Sequence, residues 1–253
     1  MPTGTPQAQG AAAGGLPAAV ALRCWLALPS DRPARSGVLV LPEVFGINGW
    51  VRSVAARLAA AGHAALAVPL FARTAPELEL SYDETSLALG RAHKECTRAS
   101  ELLADLSLAA DWLAGHLADP TRPLGCVGFC FGGHVALLAA SLPRIAASCD
   151  FYGAGVATGR PGGGAASLEL VPQIRGRLLC FCGDQDPLIP EADVQAIERA
   201  LAAVPDPGRH RLIRVAGAGH GYMCEARADH RPEQAAAGWR LLLEFLAESL
   251  AAA

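Results

Sequence analysis

The residues best suited to chemistry in this chain are a cysteine, two aspartates and a histidine, each in a short glycine-bearing context. Gly125–His134 reads GCVGFCFGGH: an apolar, strand-like run enters a glycine turn and then a helix, with Cys130 at the apex. Gly128-Phe129-Cys130-Phe131-Gly132 fits Gly-x-nucleophile-x-Gly, the strand-to-helix turn that exposes a nucleophile. The glycines have a physical purpose. The apex backbone is expected at positive φ, and strand and helix approach closely only where flanking side chains are absent. The amino end of the helix starting there favours a thiolate and a developing oxyanion.

A nucleophile of this kind needs a base and an acid that orients it, in the chain order nucleophile, acid, histidine. Asp184 and Asp186, in Gly183-Asp184-Gln185-Asp186-Pro187, both follow a strand-like run. The carboxyl ends of parallel strands are where open α/β sheets hold their ligands. The competing role for either aspartate is to cap its own turn. His220, in Gly217-Ala218-Gly219-His220-Gly221-Tyr222, arrives in the right order and is the natural base. His63, His93, His116 and His210 have no partner pattern, and His134, one helical turn past Cys130, is read as a packing residue.

The elements that must position these groups alternate. Strand-like runs occur at 20–28, 37–42, 63–69, 124–129, 145–153, 177–183 and 210–215. Helical patterns cover 49–61, one long stretch 84–117, then 131–142, 191–204 and 232–250. Short apolar runs alternating with helices predict an α/β domain with a mainly parallel sheet covered on both faces. Residues 1–19, rich in Ala, Gly and Pro without an early basic residue, are expected to be a disordered extension, leaving 20–250 as a single domain. Gly-rich 158–167 reads as a surface loop, since it lacks the Lys-Ser/Thr ending of a phosphate cradle.

Composition narrows the function classes. The 253 residues carry 21 basic and 24 acidic side chains, a net −3, with Lys94 the only lysine. That balance gives no reason to expect nucleic acid or a membrane surface as partner. Eight cysteines in a chain of this length, four of them in apolar runs, read as free thiols in a reducing cytoplasm rather than a disulfide framework. Cys180-Phe181-Cys182 lacks both the two-residue gap and a second pair that a structural metal site would need, so no metal or cofactor is expected.

Three segments resemble the dienelactone hydrolase family. They are Leu41-Pro42-Glu43-Val44-Phe45-Gly46-Ile47-Asn48, the Gly-x-Cys-x-Gly-Gly elbow, and the pair Gly183 to Asp186 with Ala218 to Tyr222. The likeness runs over about residues 37–248 and implies an α/β-hydrolase fold. Carried over by position, it implies Cys130 as nucleophile, His220 as base and Asp186, rather than Asp184, as the orienting acid. It implies backbone N–H groups of Val44 and Phe131 as the oxyanion hole. Glu43 would deprotonate the thiol once substrate is bound, and Tyr152 would line the pocket. The family's arginines for a substrate carboxylate are displaced here. Cys224 stands four residues after His220, with Arg227 the nearest arginine, and Leu87 and Arg91 occupy the helical position, leaving Arg91, Arg227 or Arg73 as substitutes. This departure implies that Glu43 lacks its resting ion pair.

The expected activity is hydrolysis of a small lactone or ester by a monomer, through an acyl-cysteine. A thiol is strongly nucleophilic near neutral pH and suits substrates with a stable leaving group, which argues against amides. The alternatives are a thiol redox sensor, with Cys126 four residues before Cys130, and a non-catalytic binding protein on the same scaffold.

Overall fold

The computed structural model of the chain describes residues 20–206 and 208–251; the expected extension 1–19 lies outside them. Seven strands form one sheet: β1 (Trp25–Ala27), β2 (Ser36–Leu41), β3 (His63–Ala67), β4 (Leu124–Phe129), β5 (Ile145–Phe151), β6 (Arg177–Gly183) and β7 (His210–Val215). Their order is β1-β3-β2-β4-β5-β6-β7, with β1 antiparallel to β3 and every other pair parallel. This is the mainly parallel α/β sheet that the alternating pattern predicts.

Side-chain alternation along β2 shows why both faces are covered. Val38 and Val40 pack in a cluster with Val54 and Leu58 of α1 (Gly49–Ala60) and Leu242 and Phe245 of α6 (Pro232–Ser249). Leu39 and Leu41 pack on the other side with Leu106 of α3 (Ala99–Gly115) and Val135 of α4 (Phe131–Ala139). All six β2 residues are buried, as expected of a central parallel strand. Cys126, Cys149, Cys180 and Cys182 are free thiols buried in these strands. No helix among the described residues is long and apolar enough to cross a membrane.

The expected single helix over 84–117 is corrected to two, α2 (Glu84–Glu95) and α3. The break is at Cys96–Arg98. Thr97 donates its hydroxyl to the Lys94 carbonyl at 2.7 Å, taking an acceptor at the end of α2. Arg98 is extended, at φ −127°, and the Ala99 N–H donates to the Pro161 carbonyl at 2.8 Å. A short polar side chain competing for helix carbonyls is the physical cause. The remaining α-helix, α5 (Glu191–Ala202), lies between β6 and β7 in sequence.

His63 opens β3 in a buried position, with Nδ1 2.8 Å from Ser36 Oγ. Burial first, and then the Arg35 charge, depresses its pKa from 6.5 to about 4. A depressed histidine contributes stability that is present above the unfolded value of 6.5 and drains away as pH falls toward 4, because the unfolded chain takes the proton first. His63→Gln keeps a polar partner for Ser36 without titrating. Urea midpoints at pH 7.5 and pH 4.5 are expected to show a smaller acid-induced loss in the variant than in the parent; equal losses would exclude His63 as a contributor.

Candidate active site

Cys130 sits at the carboxyl end of β4 with φ 55° and ψ −119°, directly before α4. It and Tyr152, at φ 46°, are the two non-glycine residues with positive φ among those described. The Cys130 N–H donates to the Phe151 carbonyl at 3.0 Å and its carbonyl accepts from His134 N–H at 3.1 Å, which locks the turn between β5 and the helix. A Cβ on Gly128 would lie 1.8 Å from the Gly132 oxygen, and one on Gly132 2.3 Å from the Leu41 oxygen. No side chain fits either gap, so the glycines set how closely the helix start meets the sheet. Beneath the elbow, buried Asp150 accepts the Gly153 N–H at 2.8 Å, and burial lifts its pKa to about 7 against that hydrogen bond.

The loops after β6 and β7 bring Asp186 and His220 together. Asp186 Oδ2 is 2.8 Å from His220 Nδ1, and both residues are buried. Asp186 Oδ1 accepts the Leu188 N–H at 2.8 Å, so its own turn orients it. Asp184 instead accepts from Gly217 N–H at 2.8 Å and braces the loop. The remaining ring nitrogen, Nε2, is buried without a hydrogen-bond partner. Burial pushes the His220 imidazole down, but the adjacent Cys130 sulfur and the Asp186 carboxylate override it and raise the pKa to about 10.

Glu43 follows β2 and is buried, with Oε1 accepting from Arg227 Nη1 at 3.0 Å and Oε2 left without a partner. Burial raises its pKa; the Arg227 and His220 charges act against that rise. The expectation that Glu43 lacks an ion pair is therefore corrected. Arg227 supplies it from three residues beyond the position held by Cys224, because the turns after Tyr222 carry its guanidinium back over Gly221. Sequence spacing missed this, since a loop rather than a helix sets the reach.

A cavity of about 680 Å³ opens over the thiol, and its walls include Cys130, His220, Val44, Phe131, Arg91 and Arg227. Gly90 lets α2 form one wall: a Cβ there would lie 2.2 Å from the Val44 oxygen. Arg91 faces the cavity and, among the described residues, pairs with no carboxylate, whereas Arg73 is bound to Asp105 elsewhere. Lys94 also lines the cavity and was not anticipated. The signal was present, since 87, 91 and 94 fall on one helical face. The expectation that Tyr152 lines the pocket is corrected. Its left-handed backbone turns the ring inward, where it is fully buried and meets His220 edge-on at 5.2 Å.

Two measurements test this electrostatic arrangement. Imidazole NMR should show the His220 ring titrating at lower pH in both Asp186→Asn and Cys130→Ala than in the parent; an unmoved titration would refute the stated cause. Arg227→Met strands a buried carboxylate, so its unfolding free energy should drop by about 3 kcal/mol or more. Adding Glu43→Gln to that variant should recover most of the loss, and an additive double variant would contradict the pairing.

The dienelactone hydrolase family model matches residues 22–250. A Synechocystis protein named as a candidate carboxymethylenebutenolidase is 35% identical over 84% of this chain and 86% of its own length. A carboxymethylenebutenolidase of Rhodococcus opacus is 27% identical over 87% of this chain and 84% of its own length. A crystal structure described as a candidate dienelactone hydrolase from Klebsiella pneumoniae superposes with a TM-score of 0.78 at 27% identity, covering 89% of this chain and 92% of that one. With the fold and the cavity already described, these matches establish that the chain belongs to the dienelactone hydrolase family and is an enzyme of the α/β-hydrolase fold.

Proposed function

We propose that the cavity hydrolyses a small lactone or ester through an acyl-enzyme on Cys130, with His220 as base and Asp186 orienting it. The observation that carries this reading is the half-buried cysteine at positive φ, beside a histidine whose far nitrogen is bonded to a buried aspartate at 2.8 Å. Arranging a nucleophile, a base and its orienting acid in this way has no structural purpose that simpler packing would not serve.

In the first step the thiolate sulfur attacks the ester carbonyl carbon. The oxyanion is received by the backbone N–H groups of Phe131, which opens α4, and Val44, both of which line the cavity. The tetrahedral species collapses with cleavage of the carbon–oxygen bond, and the departing enolate or alkoxide takes the proton from His220. Water then attacks the thioester as His220 accepts its proton, the acid is released, and the departing thiolate takes back from Glu43 the proton it gave up at the start. Glu43 is the group that deprotonates the thiol when substrate enters. Its unpartnered oxygen and burial-raised basicity support that role, and Arg227 holds its other oxygen at rest. Arg91 is the cation for a substrate carboxylate, supported by its place on the wall without an acidic partner.

The same reading takes residues 20–250 as one catalytic domain acting as a monomer in the cytoplasm. A redox-sensor reading gains no support, because Cys126 is fully buried in the core and available to no second thiol at the surface.

The test compares initial rates on a carboxylate-bearing dienelactone, its neutral methyl ester and simple activated phenyl esters. Cys130→Ala should lower turnover at least about a thousandfold. Arg91→Gln should raise KM for the carboxylate lactone about tenfold while leaving the ratio between the neutral substrates unchanged. Turnover that survives Cys130→Ala, or no turnover of any member of the panel, would overturn the reading.

A further inference from the structure

The cavity over Cys130 does not end at Phe131. A second cavity of about 550 Å³ adjoins it, and the two share Lys94, Glu95, Phe131, Ala154 and Gly155 as walls. Its far walls come from the start of α3, with Arg98, and from the Gly-rich loop after β5, with Arg160. That loop is therefore more than a surface connection. The Pro161 carbonyl accepts the Ala99 N–H at 2.8 Å, Gly162 packs against the Arg98 side chain, and Ser167 N–H donates to the Gly159 carbonyl at 3.0 Å. Below it, His134 Nε2 lies 2.7 Å from Ser167 Oγ and His134 Nδ1 lies 3.0 Å from the Ala154 oxygen. These bonds fix the walls before any ligand arrives.

The charge in this lobe is unbalanced. Several arginines elsewhere do find carboxylates: Arg144 reaches Asp111 at 2.7 Å, Arg214 sits between Glu191 and Glu198, and Arg227 holds Glu43. Among the described residues Arg98 and Arg160 reach none. Arg160 donates one bond to the Ala166 carbonyl at 3.0 Å, and its Nε is buried without a partner. Lys94 stands at the junction, 5.9 Å from the Phe131 ring centroid. The single acid on the walls, Glu95, lies 3.7 Å from the Lys94 ammonium and largely offsets that cation. Two guanidiniums thus face a preformed cavity with no counter-charge of their own, and such forks match a carboxylate closely.

We propose that Lys94, Arg98 and Arg160 form a subsite for a carboxylate at the far end of an ester or lactone whose reacting carbonyl lies at Cys130. The inference rests on the reading of Cys130 as nucleophile and names the substrate class more narrowly: an acidic substrate long enough to pass Phe131. This subsite is separate from Arg91 and Arg227, which line the Cys130 cavity and not the second one.

The experiment uses the whole enzyme and 4-nitrophenyl monoesters of straight-chain dicarboxylic acids of increasing length, each against the neutral ester of equal chain length. The ratio of kcat/KM, acidic over neutral, should peak at one intermediate length. In Arg98→Gln that ratio should fall about tenfold, through KM rather than kcat, and Arg98→Lys should recover part of it. Arg160→Gln, which also touches the loop, should move the ratio in the same direction. Competitive inhibition of neutral-ester cleavage by the free dicarboxylate of the same length should weaken in parallel, a readout that a loosened fold would not select by length. A ratio that stays flat with chain length, or is untouched by Arg98→Gln while neutral esters are cleaved through Cys130, overturns the subsite. Loss of all Cys130-dependent cleavage in the parent would instead overturn the reading on which it rests.

Discussion

The arrangement depends on one strained residue. Cys130 holds a left-handed backbone that an L-residue adopts at a cost of about 1–3 kcal/mol, and only an over-determined surrounding can sustain it. That surrounding is the close seating of α4 on β4, permitted by Gly128 and Gly132 and clamped by the Cys130 bond to Phe151. The same seating directs the first amides of α4 at the cavity and leaves the thiol half exposed above a sheet whose central strands are wholly buried. Adjacent to it, Tyr152 repeats the left-handed turn at the end of β5, and there the result is opposite. One strand end raises its side chain into the cavity, while the next folds its ring beneath His220 as a floor.

A second constraint comes from burying charge. Glu43, Asp186 and His220 are all nearly inaccessible, and isolated ions at such depth would lose several kcal/mol of hydration each. The site resolves this by pairing. Asp186 answers His220 through Nδ1, and Arg227 answers one oxygen of Glu43. At the site the second oxygen of Glu43 and Nε2 of His220 are left buried without a hydrogen-bond partner.

The parts legible in the sequence are those governed by local rules. Glycine spacing around Cys130 announced the sharp turn and apolar alternation announced the parallel sheet, while the elbow's chain order pointed to His220 and to either Asp184 or Asp186, the choice of Asp186 coming only from the family resemblance. The parts that escaped depend on non-local geometry. The break at Thr97 needs a partner carbonyl from Pro161, more than sixty residues away. Arg227 reaches Glu43 only because irregular turns after Tyr222 bring it back, so no fixed spacing could identify it. Tyr152 could be placed at a strand end but not above or below the sheet, because a single φ decides that.

Charge distribution links these two kinds of information. The chain is acidic overall, yet cations gather around one continuous hollow: Arg91 and Arg227 in the part over Cys130, Arg98 and Arg160 beyond Phe131, and Lys94 between them. Net charge therefore says little about the ligand, since exposed charges more than about 10 Å apart are screened from one another at ordinary salt. What an entering molecule meets is the local field of the hollow, strengthened by low-dielectric walls such as Phe131 and Leu87. Arg91 and Arg98 pair with no carboxylate among the described residues, so no neighbouring acid cancels their share of that field.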